Sequence, residues 1–508
     1  MIKRKGIIRL MENKQLSRGA GVLMAISSLP SAYGIGTLGA AAYNFVDMLV
    51  DLKQQYWQIL PIGPTSFGNS PYQPISAFAG NNYLIDLEDL VSQNLLTHEE
   101  IRAFEWGTDT NDIDYTSMYN NRTRVLRIAF ERFDRDSKEY KTFVKKNSYW
   151  LEDYAMFRAL KEHHDGREWM SWEEKYRDRD KNALAEAASL LETTIEFYRF
   201  CQYEFECQWK KLMEYANSRG IQIIGDMPLY VAHDSADVWA HRKMFQLNAE
   251  GKPKLVSAVP PDAFSSTGQI WGNPIYDWEA MDGDKFAWWR ERAAQNAKFC
   301  NVLKLDHFIA IVKYYAVNPK AESSVNGKWH KGPGRKFLDA VALAVGDTGI
   351  IIDDAGPRTI VPGVKKLVEK SGIPGSKILV LGMQSEADNE NLPHNLAGSN
   401  AVLYTTTHDT ETAKGFVDDL GDKELEFLKE YTNVSDKEKL ADAMIRLAYS
   451  SVADVAIVSM QDLLGLGNEA RMNAPATVGG NWQWRVSQNT LSKERCDWIR
   501  KMAYTYRR

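Results

Sequence analysis

Asn301-Val302-Leu303-Lys304-Leu305-Asp306-His307 reads as a buried strand that ends abruptly in charge. Two further stretches have the same form. Ile350-Ile351-Ile352 runs into Asp353, and Val402-Leu403-Tyr404-Thr405-Thr406-Thr407-His408 runs into Asp409. Each is a short apolar or β-branched run with a sudden polar end, the pattern of a strand buried on both faces. A carboxylate at such a place carries a desolvation cost that needs a reason. In a barrel of parallel strands, the C-terminal ends are where the chemistry sits. Three carboxylates there supply a nucleophile, an acid and an electrostatic stabiliser for breaking a glycosidic bond.

Five more apolar runs complete a set of eight: 21–28, 56–61, 221–226, 377–383 and 454–462. Amphipathic helix patterns at 40–53, 285–298, 336–345 and 361–371 fall between them. Strands alternating with helices imply a parallel sheet with helical crossovers, and eight of them imply a closed (β/α)8 TIM barrel, an α/β fold. About 150 residues separate the second and third runs, rich in Lys, Glu, Asp, Tyr and Trp, with helical periodicity from about Asn120. The expected organisation is a flexible leader over 1–18, a first part of the barrel over 19–85, an inserted helical subdomain over 86–220 and the rest of the barrel over 221–508. A Pro/Gly-punctuated loop at about 250–278 is too irregular for a plain crossover and reads as a lid.

The chain has 508 residues and a net charge of −5. That balance implies no basic face, so nucleic acid and anionic membranes are poor partners. No run approaches the roughly 18 apolar residues of a membrane helix. Cys201, Cys207, Cys300 and Cys496 have neither metal nor redox spacing, which suits a reduced, cytoplasmic protein. Fifteen tryptophans suit both a large aromatic core and a surface that stacks sugar rings.

Gly34-Ile35-Gly36-Thr37-Leu38-Gly39 matches the dinucleotide-binding pattern. It is set aside, because the preceding run ends near Ser28 and the next ends at Pro61 without an acid for a ribose hydroxyl. His408-Asp409 and Asp306-His307 lack the His or Cys companions of a metal site, so no metal or other cofactor is expected. His163-His164 reads as solvent-facing. In the lid, which includes Phe264, Asp262, Gln269, Trp271 and Asn273 read either as part of a turn-rich surface loop or as an aromatic face and amide hydrogen bonds offered to a polyhydroxylated ligand. Asn481-Trp482-Gln483-Trp484-Arg485 has the same character.

Together these segments resemble the amylomaltases, the 4-α-glucanotransferases of the α-amylase clan, from about Gly21 to Arg485. The resemblance rests on Ile26-Ser27-Ser28-Leu29-Pro30 with Tyr33-Gly34-Ile35-Gly36, and on Trp57-Gln58-Ile59-Leu60-Pro61. It continues through Ser70-Pro71-Tyr72-Gln73, Ser76-Ala77-Phe78-Ala79-Gly80 and Gly225-Asp226-Met227-Pro228-Leu229-Tyr230-Val231. The lid, Thr407-His408-Asp409 and Gly480-Asn481-Trp482 complete the set. It implies a barrel with inserted subdomains that transfers α-1,4-glucan segments between maltooligosaccharides by a retaining double displacement, as a monomer or homodimer. By motif, Asp306 stands where the nucleophile belongs, Asp353 at the acid/base and Asp409 at the transition-state stabiliser. Ser70, Tyr72, Asp226, Gln269, Trp271, Asn273, Lys304, His307, His408, Asn481 and Trp482 fall among the implied glucan-binding positions.

Three departures cluster at this chemistry. The family usually reads Arg-Ile-Asp-His-Phe where this chain has Lys304-Leu305-Asp306-His307-Phe308, and Glu-Asp-Leu-Gly where it has Asp353-Asp354-Ala355-Gly356. Thr406 replaces a glycine. Lysine lacks arginine's bidentate fork, and Asp353 is shorter than glutamate by one carbon–carbon bond, ~1.5 Å. An α-glucan hydrolase would use the same carboxylates with a more open acceptor side. A catalytically impaired or inactive glucan-binding homologue would tolerate the changes at 304 and 353.

Overall fold

Parallel strands buried on both faces need near-continuous apolar sequence. Ile223-Ile224, Ile350-Ile351-Ile352 and Val455-Ala456-Ile457-Val458 supply it, each at 2% exposure or less. The computed structural model describes residues 16–66, 68–261, 265–353, 361, 363–384, 386–487 and 491–508. Its strands are β1 (Gly19–Leu23), β2 (Tyr56–Gln58), β3 (Gln222–Met227), β4 (Val256–Val259), β5 (Gln269–Pro274) and β6 (Val302–Leu305). They continue as β7 (Lys313–Val317), β8 (Lys328–Lys331), β9 (Gly349–Ile352), β10 (Gly375–Ile378), β11 (Ala401–Tyr404) and β12 (Val455–Ser459). Eight of them close a parallel barrel in the order β1-β12-β11-β10-β9-β6-β3-β2. The fold is the (β/α)8 barrel that the eight runs predict.

Register aims the functional side chains. Lys304 on β6 pairs with Asp226 on β3 and with Ile351 on β9. Side chains alternate with period two, so Asp306 lies on the same face as Lys304, and Asp353 on the same face as Ile351. Across the barrel, the Tyr404 hydroxyl donates to Gln58 Oε1 at 2.8 Å.

The sixth run divides differently from its apolar pattern. β10 ends at Ile378, and Leu379–Gly382 forms a buried helical turn. Periodicity over so few residues does not separate strand from buried helix. The four helix patterns are realised as Ala40–Asp51, Ala287–Ala297, Arg335–Ala344 and Gly363–Ser371. Between β2 and β3 the chain is helical, dominated by Lys138–His163 and Glu192–Ser218, which pack on each other.

The stretch read as an irregular lid contains regular structure. β4 and β5 pair antiparallel, and β7 and β8 extend them into a four-stranded sheet, β5-β4-β7-β8. This sheet is built from two excursions, one after β3 and one after β6. Its strands are short and half-polar, such as Lys328-Trp329-His330-Lys331, and pairing between distant segments has no local signature. Within the glycine-rich segment, Gly34 has φ of 76°, and a Cβ on Gly36 would stand 2.0 Å from the Ile26 carbonyl oxygen. These glycines serve a close chain approach ahead of the helix at Ala40. Of the residues singled out in sequence, leader positions 1–15, Asp262, Phe264, Asp354, Ala355 and Gly356 lie outside the described residues.

Candidate active site

The site is assembled at the C-terminal ends of β3, β6, β9 and β11. Asp306 and Asp353 each follow the last residue of a strand, and Asp409 stands on the loop after β11. Lys304 is the electrostatic centre. Its ammonium lies 2.6 Å from Asp353 Oδ2 and 2.9 Å from Asp226 Oδ2. Burial works against the charged amine, but Asp226, Asp353 and Asp306 outweigh it and raise the Lys304 pKa well above the ordinary lysine value. In place of an arginine fork on Asp306, this chain has a point charge shared between two other carboxylates. It occupies one oxygen of Asp353.

Asp306 is shifted upward, first by its withdrawal from water and then by the nearby Asp226 and Asp353 carboxylates, against the pull of Lys304 and His408. His307 follows with φ of 48°, a left-handed conformation that side-chain-bearing residues adopt rarely and often at functional sites. Burial lowers its imidazole to about 4. Its ring meets Trp271 of β5 at a centroid distance of 4.5 Å and 71°, which ties the four-stranded sheet to the nucleophile strand's end.

On the opposite wall, Asp409 accepts 2.7 Å from the Asn473 amide and stands 3.3 Å from His408 Nε2. Burial would raise Asp409, but His408 and Asn473 prevail and bring it to about 2. The same pairing raises His408 against the lowering effect of its own burial. Tyr72 joins the two walls. Its hydroxyl donates to Asp226 at 2.9 Å and lies 3.3 Å from His408 Nδ1, while its ring stacks on His408 at 4.6 Å. Burial, then the charges of Asp226, Asp306 and Asp409, push its phenol far upward, so it remains a donor. Trp482, at φ of 65°, completes the aromatic wall, 5.7 Å from Tyr72 and 5.8 Å from His408.

The remaining expected contacts divide by exposure. Gln269 is half-buried and accepts from the Trp271 indole at 3.1 Å. Ser70 is half-buried and accepts from the Tyr72 backbone. Asn481 spends its side chain on Ala474 and Thr477, holding the 474–481 turn. Asn273 is 2% exposed, with its amide shared among Gln73, Val231 and Ser257. It braces the β4–β5 hairpin from behind. Asp226 is likewise withdrawn, with its side chain wholly covered. His164, read as solvent-facing with His163, is only 12% exposed, bonded to Glu173 and stacked on Trp172 at 5.2 Å.

Sequence reasoning missed Gln73, Asn473 and Asp462. Asp462 is buried, and it accepts from the Thr405 and Thr406 hydroxyls at 2.6 Å each and from Ala413 N–H at 2.7 Å. It thereby clamps both ends of the loop carrying His408 and Asp409. Thr406, where the family has glycine, supplies one of those bonds. The signal was present, because Asp462 also closes an apolar run. Asn473 lies far from Asp409 in sequence and had none.

A family model described as 4-alpha-glucanotransferase matches residues 24–490. The chain belongs to the 4-alpha-glucanotransferase family. Among its relatives, the 4-alpha-glucanotransferase of Streptococcus pneumoniae is 43% identical over 495 residues, covering 97% of each chain. That of Thermus thermophilus is 38% identical over 500 residues, covering 96% of this chain and 99% of its own. The amylomaltase of Streptococcus agalactiae, solved in complex with acarbose, superposes with a TM-score of 0.92 at 36% identity, covering 97% of this chain and 99% of that one. Among the described residues of this 4-alpha-glucanotransferase family member, no helix is long and apolar enough to cross a membrane.

Proposed function

We propose that the protein transfers α-1,4-glucan segments between maltooligosaccharides through a covalent glycosyl-enzyme. The observation that carries this reading is the gathering of Asp306, Asp353 and Asp409 at the strand ends of the barrel, around the Lys304 ammonium that pairs with Asp353. In the first step, Asp306 Oδ bonds to the anomeric carbon. The glycosidic bond breaks, and the leaving oxygen takes a proton from Asp353. In the second, the 4-hydroxyl of an acceptor sugar attacks the same carbon, loses its proton to Asp353 and releases Asp306. Asp409, ionised and fixed by His408 and Asn473, favours the positively charged, oxocarbenium-like transition state.

Tyr72, Trp271, His307, His408 and Trp482 form walls on which sugar rings stack, with Ser70, Gln269 and Asn481 at their edges. The hairpin behind Trp271 favours sugar over water as acceptor by shielding the cleft. The helical stretch 86–220 serves as a subdomain beside that cleft. The charge balance and four free cysteines favour a cytoplasmic protein acting on glucans alone, as a monomer or homodimer.

Incubation with maltotriose tests the reading. Glucose plus maltooligosaccharides longer than the substrate are the expected products. Glucose and maltose alone would make the protein a hydrolase, and no products at high enzyme concentration would leave only binding.

A further inference from the structure

The three carboxylates are not held alike. Asp306 N–H donates to the Met227 carbonyl at 3.2 Å and Asp353 N–H to the Leu305 carbonyl at 3.0 Å, so neighbouring strands fix both main chains. Asp409 is half-buried on the loop after β11, and its N–H donates to the Thr407 hydroxyl of that same loop at 3.3 Å. Its outside support comes from Arg471-Met472-Asn473, a segment that lies after β12. Asn473 bonds the carboxylate at 2.7 Å. Arg471 bonds the two main chains together: its Nε donates to the Asn473 carbonyl at 2.8 Å and its Nη2 to the Asp409 carbonyl at 2.9 Å. The segment is also anchored to the aromatic wall, because Trp482 N–H donates to the Met472 carbonyl at 2.7 Å and Ala474 N–H to Asn481 Oδ1 at 2.9 Å.

Both Arg471 bonds end on carbonyl oxygens, and among the described residues its guanidinium has no ion-pair partner. The side chain is used for its shape. A planar fork holds two acceptors in one geometry, which the point charge of a lysine on its flexible stem does not. The Asn473 amide reaches Asp409 only while the main chains at 409 and 473 keep their separation. The turn beyond offers no second brace. Ala476, Gly479 and Gly480 stand at φ of 64°, 85° and 71°, and Val478 is 91% exposed, so the turn is carried by its ends. A displacement of about 1 Å at a reacting group costs about a hundredfold in rate.

We propose that Arg471 is a positioning residue for the transfer reaction. It acts through Asn473 and sets the Asp409 carboxylate at a fixed place relative to the wall that carries Trp482. The proposal rests on the reading of Asp409 as the transition-state stabiliser. Arg471 itself touches neither glucan nor the reacting atoms.

The test is steady-state transfer on maltotriose by Arg471→Lys, Asn473→Ala and the double variant, each checked for an unchanged thermal midpoint. Each single change should lower kcat at least tenfold and move KM less than threefold, because binding is kept and the transition state loses its carboxylate. The double variant should be within twofold of the slower single, since both changes act on one contact. A smaller fall in kcat, a rise in KM as large as that fall, or losses that multiply in the double variant overturns the proposal. If Arg471→Lys lowers the thermal midpoint, Arg471→Gln, which keeps an N–H donor, is judged by the same criteria. Asp409→Asn, measured alongside, separates the two readings. Full activity there overturns Asp409 as stabiliser and the proposal with it, whereas loss there without loss in Arg471→Lys overturns the proposal alone.

Discussion

Replacing Lys304 with methionine keeps the length of the side chain and deletes the ammonium that three carboxylates surround. Asp226 then loses its cation while its side chain remains wholly covered. Its Oδ2 retains only the Tyr72 hydroxyl, and its Oδ1 has no partner among the described residues. Breaking a buried pair from one side costs about 3–5 kcal/mol, because the remaining charge is stranded. Asp353, 23% exposed, adds little, since water replaces part of what it loses. Over 508 residues, an unfolding entropy of about 2.1 cal/mol/K per residue converts this into a fall of about 3–5 °C in the thermal midpoint. Scanning calorimetry measures it. Lys304→Met/Asp226→Asn removes charge from both sides and should recover more than half of the loss, while transfer on maltotriose stays at background. Lys304→Met as stable as the parent, or a double variant no more stable than the single, would refute the claim that the shared ammonium holds the strand ends together.

Asp306→Asn should abolish transfer while glucan binding, followed by titration, persists. It should also stabilise the free protein increasingly as pH rises above about 4: a carboxyl shifted upward in the folded state binds more protons there than in the unfolded chain, so the parent loses stability through that window and the amide does not. The acid limb of the kcat/KM profile should follow ionisation of Asp306, the nucleophile, whose carboxyl burial and neighbouring charges shift upward; a profile flat between pH 4 and 9 would contradict that shift. Lys304→Arg/Asp353→Glu should raise the transfer rate one to two powers of ten, about 1.4–2.7 kcal/mol of barrier, if the present residues merely impair the site; a lower rate would mean that the surrounding shell is fitted to the shorter acid. Asp462→Ala should leave the Thr405 and Thr406 hydroxyls unanswered and lower kcat more than it raises KM, because the loop positions Asp409; equal loss of thermal stability without any change in kcat would give Asp462 a purely structural role.

The barrel was legible in the sequence because a strand buried on both faces must be apolar throughout and must stop where polarity begins. Eight runs therefore named eight strands, and the carboxylates closing them named Asp306, Asp353 and Asp409 as candidates. Motifs carried the family as well. Tertiary structure decided which charges meet. Lys304 read as a defective arginine beside Asp306, yet strand register sets it against Asp226 and aims it at Asp353, a pairing that depends on neighbours 78 and 49 residues away. Asn273 and Asp226 stand among the implied glucan-binding positions; the structure adds that both are buried, Asn273 bonded to Gln73, Val231 and Ser257 and Asp226 to Lys304 and Tyr72. The four-stranded sheet, the Asn473–Asp409 bond and the clamp of Asp462 on Thr405 and Thr406 arise from segments distant along the chain. Local sequence records what each residue can do and which face of its own element it occupies. Only closure of the barrel determines which two groups share an ammonium or a wall, because that is set by distance in space and by the exclusion of water between them.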